Sequence, residues 1–455
     1  MPPLSPMSLP APPIVRTLLK NAWPVLVAQM VSVGMMIADT VYVGHYSTRH
    51  LAAVAVASGL FIPLALALGG VLHALAPIIG QHYGAGKITQ IGSDMRQGLW
   101  LAVFLALGGV ALLVAPGYLL APAQLDPEIE AIAANYLRLL ALSLPAALGY
   151  RAFHAAANAL GQPRPLVLVA LLMTLAHAGL AWCLVGGHLG LPELGALGAA
   201  LSEVIVNWLG LAGSFWLLAK HPRFAALPIF THWEKPRWRA QKELLRLGLP
   251  IGFSFLVEIS AFTLMVIFIA RLGAETVSGH RIAGNLSAFV YMLPLSLSIA
   301  TAAQIAQAVG AGKEALATTV AKTGLKLACT LSVVMIILLL WLRGPIARQA
   351  TDDAVVAGVA SELMFYIAVY QFFDALQTVA CFALRAYKIS FVPLIIHLFC
   401  FWGLGLGLGY WLAFLAPVPQ GAAGFWQAAV FATLTAAVLF GVLLVKVTKQ
   451  RHPGL

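Results

Sequence analysis

The sequence predicts an all-α integral membrane protein, with twelve transmembrane helices in two pseudo-symmetric six-helix lobes. Three observations predict it. The first is composition. Of 455 residues, 61% are hydrophobic and 9% charged, whereas a soluble domain carries about 25% charged residues. Lipid is the solvent that accepts so much apolar surface. The second is segmentation into twelve apolar stretches, each long enough for the roughly 20-residue helix that crosses a bilayer. The third is repetition. Gln81-His-Tyr-Gly84-Ala85-Gly86-Lys87 returns 226 residues later as Gln307-Ala-Val-Gly310-Ala311-Gly312-Lys313. Pro24 matches Pro250, and Gly195-Ala196-Leu197-Gly198 matches Gly421-Ala422-Ala423-Gly424, at the same offset.

The first six spans centre near residues 30, 65, 107, 144, 175 and 206, and the second six near 258, 292, 330, 369, 402 and 433. Several are long and contain Pro or Gly, as bent or tilted helices do. The runs are continuously apolar, which argues against the alternating pattern of a β-barrel. Residues 1–13, rich in Pro and Ser, are expected to be a disordered tail. The following run carries Asp39 and lacks a small-residue cleavage site, so it is expected to be the first span rather than a signal peptide. The expected division is an N-terminal lobe over 14–219, a cytoplasmic linker over 220–242, a C-terminal lobe over 243–446 and a cytoplasmic tail over 447–455.

The net charge of +11 does not indicate nucleic-acid binding, because the basic residues gather in alternate loops, as the positive-inside rule requires. The opposite loop around Asp126, Glu128 and Glu130 has none. Both termini are thus expected on the cytoplasmic side, which needs an even number of spans. Cys183, Cys329, Cys381 and Cys400 lie in apolar segments with no CxxC, so neither a disulfide framework nor a zinc site is indicated. Neither Gly-rich phrase fits a Walker loop, since Lys87 precedes Ile and Lys313 precedes Glu. No nucleotide, no cofactor and no enzymatic constellation is indicated, so an ion gradient is the expected energy source.

Six spans per half give both halves one orientation. Parallel repeats place a substrate cavity between them near the midplane. Each QxxGAGK should make a tight turn after the second span of its half, with its Lys at the anionic leaflet. Of only 16 acidic residues, four look embedded: Asp39, Glu203, Glu258 and Asp374. A charge at a helix centre costs about 2.5–3.5 kcal/mol on insertion scales, so such groups face a cavity or a partner and often carry ions or protons. Tyr370 precedes Asp374 by four residues and shares its helix face. The plainer reading of that pair is a polar lock between helices.

The chain resembles the multidrug and toxic compound extrusion (MATE) family, and within it the NorM-type bacterial members. The resemblance rests on Ala38-Asp39-Thr40, both QxxGAGK phrases, Leu160-Gly161-Gln162-Pro163-Arg164, Pro250-Ile-Gly252 with Glu258, Gly279-His280-Arg281-Ile-Ala283, and Leu384-Arg385-Ala386-Tyr387-Lys388. It implies alternating access and export of cationic or amphiphilic organic compounds from the bacterial cytoplasmic (inner) membrane, coupled to inward H⁺ or Na⁺, by what is expected to be a monomer. Asp374 and Glu258 match a cation-coupling pair, with Tyr370 as a further ligand should the ion be Na⁺. Asp39 matches an acid of the N-terminal lobe. Where the family often supplies two Asn and a Thr, this chain has His177, Ala181 and Glu203, which favours protons over Na⁺ there. His280, Arg281, Asn285 and Asn207 are secondary candidates. Arg151, His154 and Asn158 share a fourth-span face where snorkelling to the interface is the plainer expectation. The alternative function is a flippase for lipids or lipid-linked precursors, which predicts several Arg or Lys inside the cavity.

Overall fold

A computed structural model describes residues 14–220, 224, 229 and 234–451. The expected tail over 1–13, most of the linker over 221–233 and the terminal residues 452–455 lie outside the described residues. Twelve helices long and apolar enough to cross a membrane are present among the described residues. They are α1 (Ile14–Tyr46), α2 (Thr48–Gly84), α3 (Ile88–Val114), α4 (Pro127–Ala159), α5 (Arg164–Gly186), α6 (Ala196–Lys220), α7 (Trp238–Leu272), α8 (Ala274–Gly310), α9 (Glu314–Ala350), α10 (Ala354–Ala386), α11 (Phe391–Leu415) and α12 (Gly421–Arg451). Pro24, Pro63, Pro145, Pro250, Pro294 and Pro345 sit inside helices. In lipid, neighbouring helices and Ser or Thr side chains take up the backbone groups that such prolines free. Large apolar residues such as Leu172 and Trp341 face outward, where lipid is their solvent.

The acids at the base-poor end have a local explanation. Asp126 caps α4 by accepting from the Glu128 amide at 3.0 Å. Asp353 caps α10 by accepting from the Val355 and Val356 amides. A carboxylate there satisfies orphan amides and opposes the helix dipole.

At the other end, four helices stop in one way. After α2, the Lys87 amide donates to the His82 carbonyl and the Gly86 amide to the Tyr83 carbonyl, with Gly86 at φ +70°. After α8, Lys313 and Gly312 repeat this pattern on Ala308 and Val309, with Gly312 also at +70°. Gly161 ends α4 in the same manner, and Lys388, at φ +61°, ends α10. This is the Schellman termination that left-handed glycine favours.

The QxxGAGK phrase is more than a turn. It is where the lobes meet. A Cβ on Gly84 would lie 1.9 Å from the Gln307 carbonyl oxygen, and one on Gly310 would lie 1.9 Å from that of Gln81. The ends of α2 and α8 therefore cross backbone on backbone, which only glycine permits. The two glutamines complete the exchange. Gln81 Nε2 donates to the Ala386 carbonyl at the end of α10, and Gln307 Nε2 to the Ala159 carbonyl at the end of α4. Each lobe thus satisfies an orphan carbonyl of the other. Elsewhere the lobes meet chiefly through two equivalent pairs, α1 with α8 and α7 with α2.

The described end of the linker is pinned to α3. Arg96 Nη2 bonds Glu234 at 3.1 Å, Ser93 and Trp100 donate to Glu234, and Gln97 Nε2 donates to the Lys235 carbonyl. Burial of Glu234 opposes its ionisation. The hydrogen bonds from Ser93 and Arg96 and the Arg237 charge outweigh that, and hold its carboxyl below the usual carboxylate range. The stabilisation this latch contributes is present above the ordinary carboxylate pKa and is lost only as pH falls through the lowered one.

Substituting Gly84 or Gly310 with Ala forces a backbone shift, at about 1–3 kcal/mol for overpacking. Spin labels at positions 87 and 313, compared by pulsed electron resonance, are expected to show a longer-distance population that is small or absent in the parent. An unchanged distance distribution in both variants would show that the crossing does not hold the lobes together.

Candidate functional site

Each lobe encloses an acid with its own set of partners, and the two sets differ. In the C-terminal lobe, Asp374 is 1% exposed on α10. Gln377 Nε2 donates to its Oδ1 at 3.0 Å, and Tyr370, one turn earlier on the same helix face, stands near enough to act on its charge. Since the Gln377 amide nitrogen faces the carboxylate, its oxygen faces away, and His397 Nε2 lies 3.2 Å from it. That contact makes His397 the donor, so its Nδ1 carries no proton in the neutral ring. The same nitrogen has no hydrogen-bond partner. Glu258, on α7, is close enough for its charge and that of Asp374 to act on each other, and Tyr291 of α8 stands beside both. Trp426 of α12 packs edge-on against Tyr370, with ring centroids 5.5 Å apart.

In the N-terminal lobe, His177 of α5 is fully buried. Its Nε2 lies 2.8 Å from Asp39 Oδ1, and its Nδ1 lies 3.1 Å from the Ser202 hydroxyl of α6. Ser202 also reaches the Ala199 carbonyl, at 2.7 Å. A hydroxyl has one proton to give and can also accept. When His177 is charged, Nδ1–H donates to Ser202, Ser202 donates to Ala199, and Nε2–H donates to Asp39. When it is neutral, Ser202 turns its proton to Nδ1 and Nε2–H still serves Asp39. Both protonation states keep every ring nitrogen bonded. Glu203 and Tyr136 lie within electrostatic reach of Asp39.

The sequence-derived candidates therefore divide. Asp374, Glu258 and Tyr370 form one cluster, and Asp39, His177 and Glu203 another. Asn207 turns away from the carboxylates, its amide donating to the backbone carbonyl of Glu203. His280 accepts from the Trp426 indole at 3.2 Å, which places it one layer behind Tyr370. Arg281 and Asn285, farther along α8, are exposed. No group of three His, Cys, Asp or Glu residues among the described residues is placed to hold a metal ion. Sequence reading missed Ser202, Gln377, His397 and Tyr291. Gln377 follows Asp374 by three residues, a helical spacing that could have flagged it.

Arg151, His154 and Asn158 depart from the snorkelling expectation. They line a cavity between the lobes, together with His73 of α2, Phe255 of α7 and Arg385 of α10. The cavity and the open space at its mouth together amount to about 1050 Å³, and Ala159 and Ala386, the carbonyl partners of the two clasp glutamines, lie in its wall.

Two parallel six-helix lobes, a cavity between them and a buried or half-buried acid cluster in each define a two-lobed membrane transporter fold. The sequence profile of the MatE family matches residues 24–183 and 250–411, and the chain belongs to that family, the MATE proteins. It is 47% identical to the probable multidrug resistance protein NorM of Aromatoleum aromaticum, over 95% of this chain and 94% of that protein. It is 33% identical to the multidrug resistance protein PmpM of Pseudomonas aeruginosa, over 96% of this chain and 92% of that one. Among solved structures, an outward-facing multidrug resistance MATE transporter superposes with a TM-score of 0.88 at 17% identity, covering 96% of this chain and 97% of that one. The eukaryotic MATE transporter AtDTX14 gives 0.85 at 18% identity, over 97% and 98%.

His177→Gln keeps a donor toward Asp39 but cannot titrate. The pH profile of transport into liposomes is expected to flatten, with Vmax at the optimum falling less than the profile's slope. A profile identical in shape to the parent's would remove His177 from proton handling.

Proposed function

We propose that this chain is a multidrug efflux transporter, an antiporter rather than an enzyme. It would export cationic or amphiphilic organic compounds from a bacterial cytoplasmic (inner) membrane by alternating access, with both termini cytoplasmic. The observation that carries the reading is Asp374. It is a buried carboxylate held by Gln377 and within electrostatic reach of Tyr370 and Glu258, in a chain whose relatives are named multidrug resistance proteins. Buried carboxylates in a membrane are expensive unless they bind something in the cycle. Inward ions neutralise the acids and weaken their hold on a cationic compound, and that compound in turn disfavours the ion.

Protons are the main coupling ion in this reading. The N-terminal lobe supports it, because His177 stands where an oxygen ligand would serve Na⁺, and both its protonation states are hydrogen-bonded. Na⁺ prefers several oxygens at once, as hard cations do. The C-terminal lobe, with Glu258, Asp374 and Tyr370, offers the oxygens for Na⁺ as the less favoured ion. The flippase reading keeps one specific support, the Arg151 and Arg385 side chains in the cavity wall. It stays second, because that reading gives the two acid clusters nothing to do.

Asp374→Asn is nearly isosteric and should insert and fold, while export of a cationic dye falls at least about tenfold, equivalent to about 1.4 kcal/mol. Glu258→Gln is expected to behave alike. Export at the parent rate by well-inserted Asp374→Asn would exclude Asp374 from the mechanism. In liposomes, efflux should follow an imposed pH gradient in Na⁺-free buffer. Efflux that needs Na⁺ and ignores the pH gradient would replace the proton with Na⁺.

A further inference from the structure

The cavity between the lobes is lined by basic groups, one of which, Arg385, lies within electrostatic reach of Glu258. Arg151, Arg385, His73 and His154 line it, and no Asp or Glu does among the described residues. Arg385 is 5% exposed. Two of its three guanidinium nitrogens, Nε and Nη1, have no hydrogen-bond partner. Its guanidinium carbon sits over two aromatic faces, 5.1 Å from the Phe255 ring and 4.7 Å from that of Phe382. Aromatic faces attract a cation but accept none of its N–H groups as a carbonyl would. An arginine at a helix C-terminus can donate to the last carbonyls of that helix. Here the Ala386 carbonyl is taken by Gln81 from the other lobe, and the free nitrogens of Arg385 remain unused.

On the facing lobe, Arg151 lies across Gly69 of α2, where a Cβ would come within 2.7 Å of the Arg151 Cδ. Asn158, 7% exposed and also in the cavity wall, has an unpartnered Oδ1. The cavity thus presents fixed positive charge from both lobes, unused N–H donors and aromatic surface, with its wall reaching the crossing of α2 and α8.

We infer that this cavity binds the anionic group of an amphiphile, a carboxylate or phosphate carried on an apolar or aromatic body, between Arg385 and Arg151. A planar guanidinium with two free donors matches such an oxyanion, and Phe255 and Phe382 take the apolar part. The inference rests on the transport reading but concerns a ligand that the acid clusters would repel. Because the site draws on both lobes, its occupant bridges them when the crossing is closed.

The test uses purified full-length protein in detergent, with fluorescent 2-naphthoate as the probe and its neutral methyl ester as the comparison. Naphthoate is expected to bind at least tenfold more tightly than the ester. Arg385→Gln should weaken naphthoate at least tenfold, and Arg151→Gln should weaken it in the same direction. Ethidium, a cation without an anionic group, should bind neither variant more weakly than the parent. Equal binding of acid and ester, or parent-like naphthoate binding by both variants, would overturn the proposal. Should Arg385→Gln fail to fold, Arg385→Lys keeps the charge and loses the paired donors, and is expected to retain only part of the affinity. Nanodiscs separate the sources of the anion. Loss of naphthoate binding in phosphatidylglycerol, but not in phosphatidylcholine, supports the site with a lipid headgroup as its occupant. Binding retained in both supports it with a soluble anion. Ethidium efflux in liposomes reports separately on the export reading, which can fail while the anion site stands.

Discussion

Gly84 and Gly310 let the ends of α2 and α8 touch backbone to backbone, and much of the molecule's arrangement depends on that contact. It brings Gln81 to the end of α10 and Gln307 to the end of α4. It thereby closes the lobes on each other beside the cavity, on the side that carries Lys87 and Lys313. The contact is close but not strong. Each exchanged hydrogen bond contributes about 0.5–1.5 kcal/mol net, whereas moving an equilibrium from 1:99 to 99:1 takes about 5.5 kcal/mol. A clasp of this size can be opened by the differential binding of one ion and one ligand. A more extensive apolar interface at that end could not.

The helix best placed to connect ion and clasp is α10. Tyr370, Asp374, Gln377, Cys381 and Arg385 follow one another at helical spacings of three or four, so they form one stripe. One end of the stripe holds the acid cluster. The other holds the cavity arginine and, one residue on, the Ala386 carbonyl that Gln81 grips. A change of charge at Asp374 is therefore felt on the same rigid rod that closes the lobes. This is a physical route for coupling, in that both ends bias the position of one packed element. In the N-terminal lobe, α4 has only the second half of this arrangement. It carries Arg151, His154 and the Ala159 carbonyl, but its lobe's acid cluster is built on α1, α5 and α6.

Much of this was legible in the residues. Twelve spans follow from the apolar runs, and the two lobes from the 226-residue offset, because burial in lipid leaves few alternatives to helices. Asp374 and Tyr370 were paired by spacing alone. What could not be read is tertiary. Gly84 and Gly310 stand in a phrase whose second glycine, Gly86 or Gly312, has a local role as a left-handed helix end. The first glycine serves a crossing between residues more than two hundred positions apart, which no local pattern encodes. Ser202 and His397 escaped notice because a lone hydroxyl or imidazole in an apolar span has no distinguishing neighbours. Arg385 lies at a span end, where snorkelling is the rule, and nothing in its local sequence marks it as inward. Only the aromatic rings around it and the capture of its helix's last carbonyl show that it turns inward.

The two lobes also show how a duplicated fold can hold unlike sites. Backbone features recur at equivalent places: the glycine helix ends, the aspartate caps and the crossed glutamines. The side chains around the acids do not. Asp39 meets an imidazole whose second nitrogen is served by a hydroxyl able to donate or accept, so the pair can gain or lose a proton with both ring nitrogens still hydrogen-bonded. Asp374 meets a phenol and an amide, which change neither charge nor proton count near neutral pH. A change of charge around Asp374 must come from the acids themselves, from an ion between them, or from His397 behind Gln377. An exporter built this way has one lobe whose acid is hydrogen-bonded directly to a base and another whose acids have no base in direct contact. The base-paired lobe is the one whose proton affinity single side chains can tune.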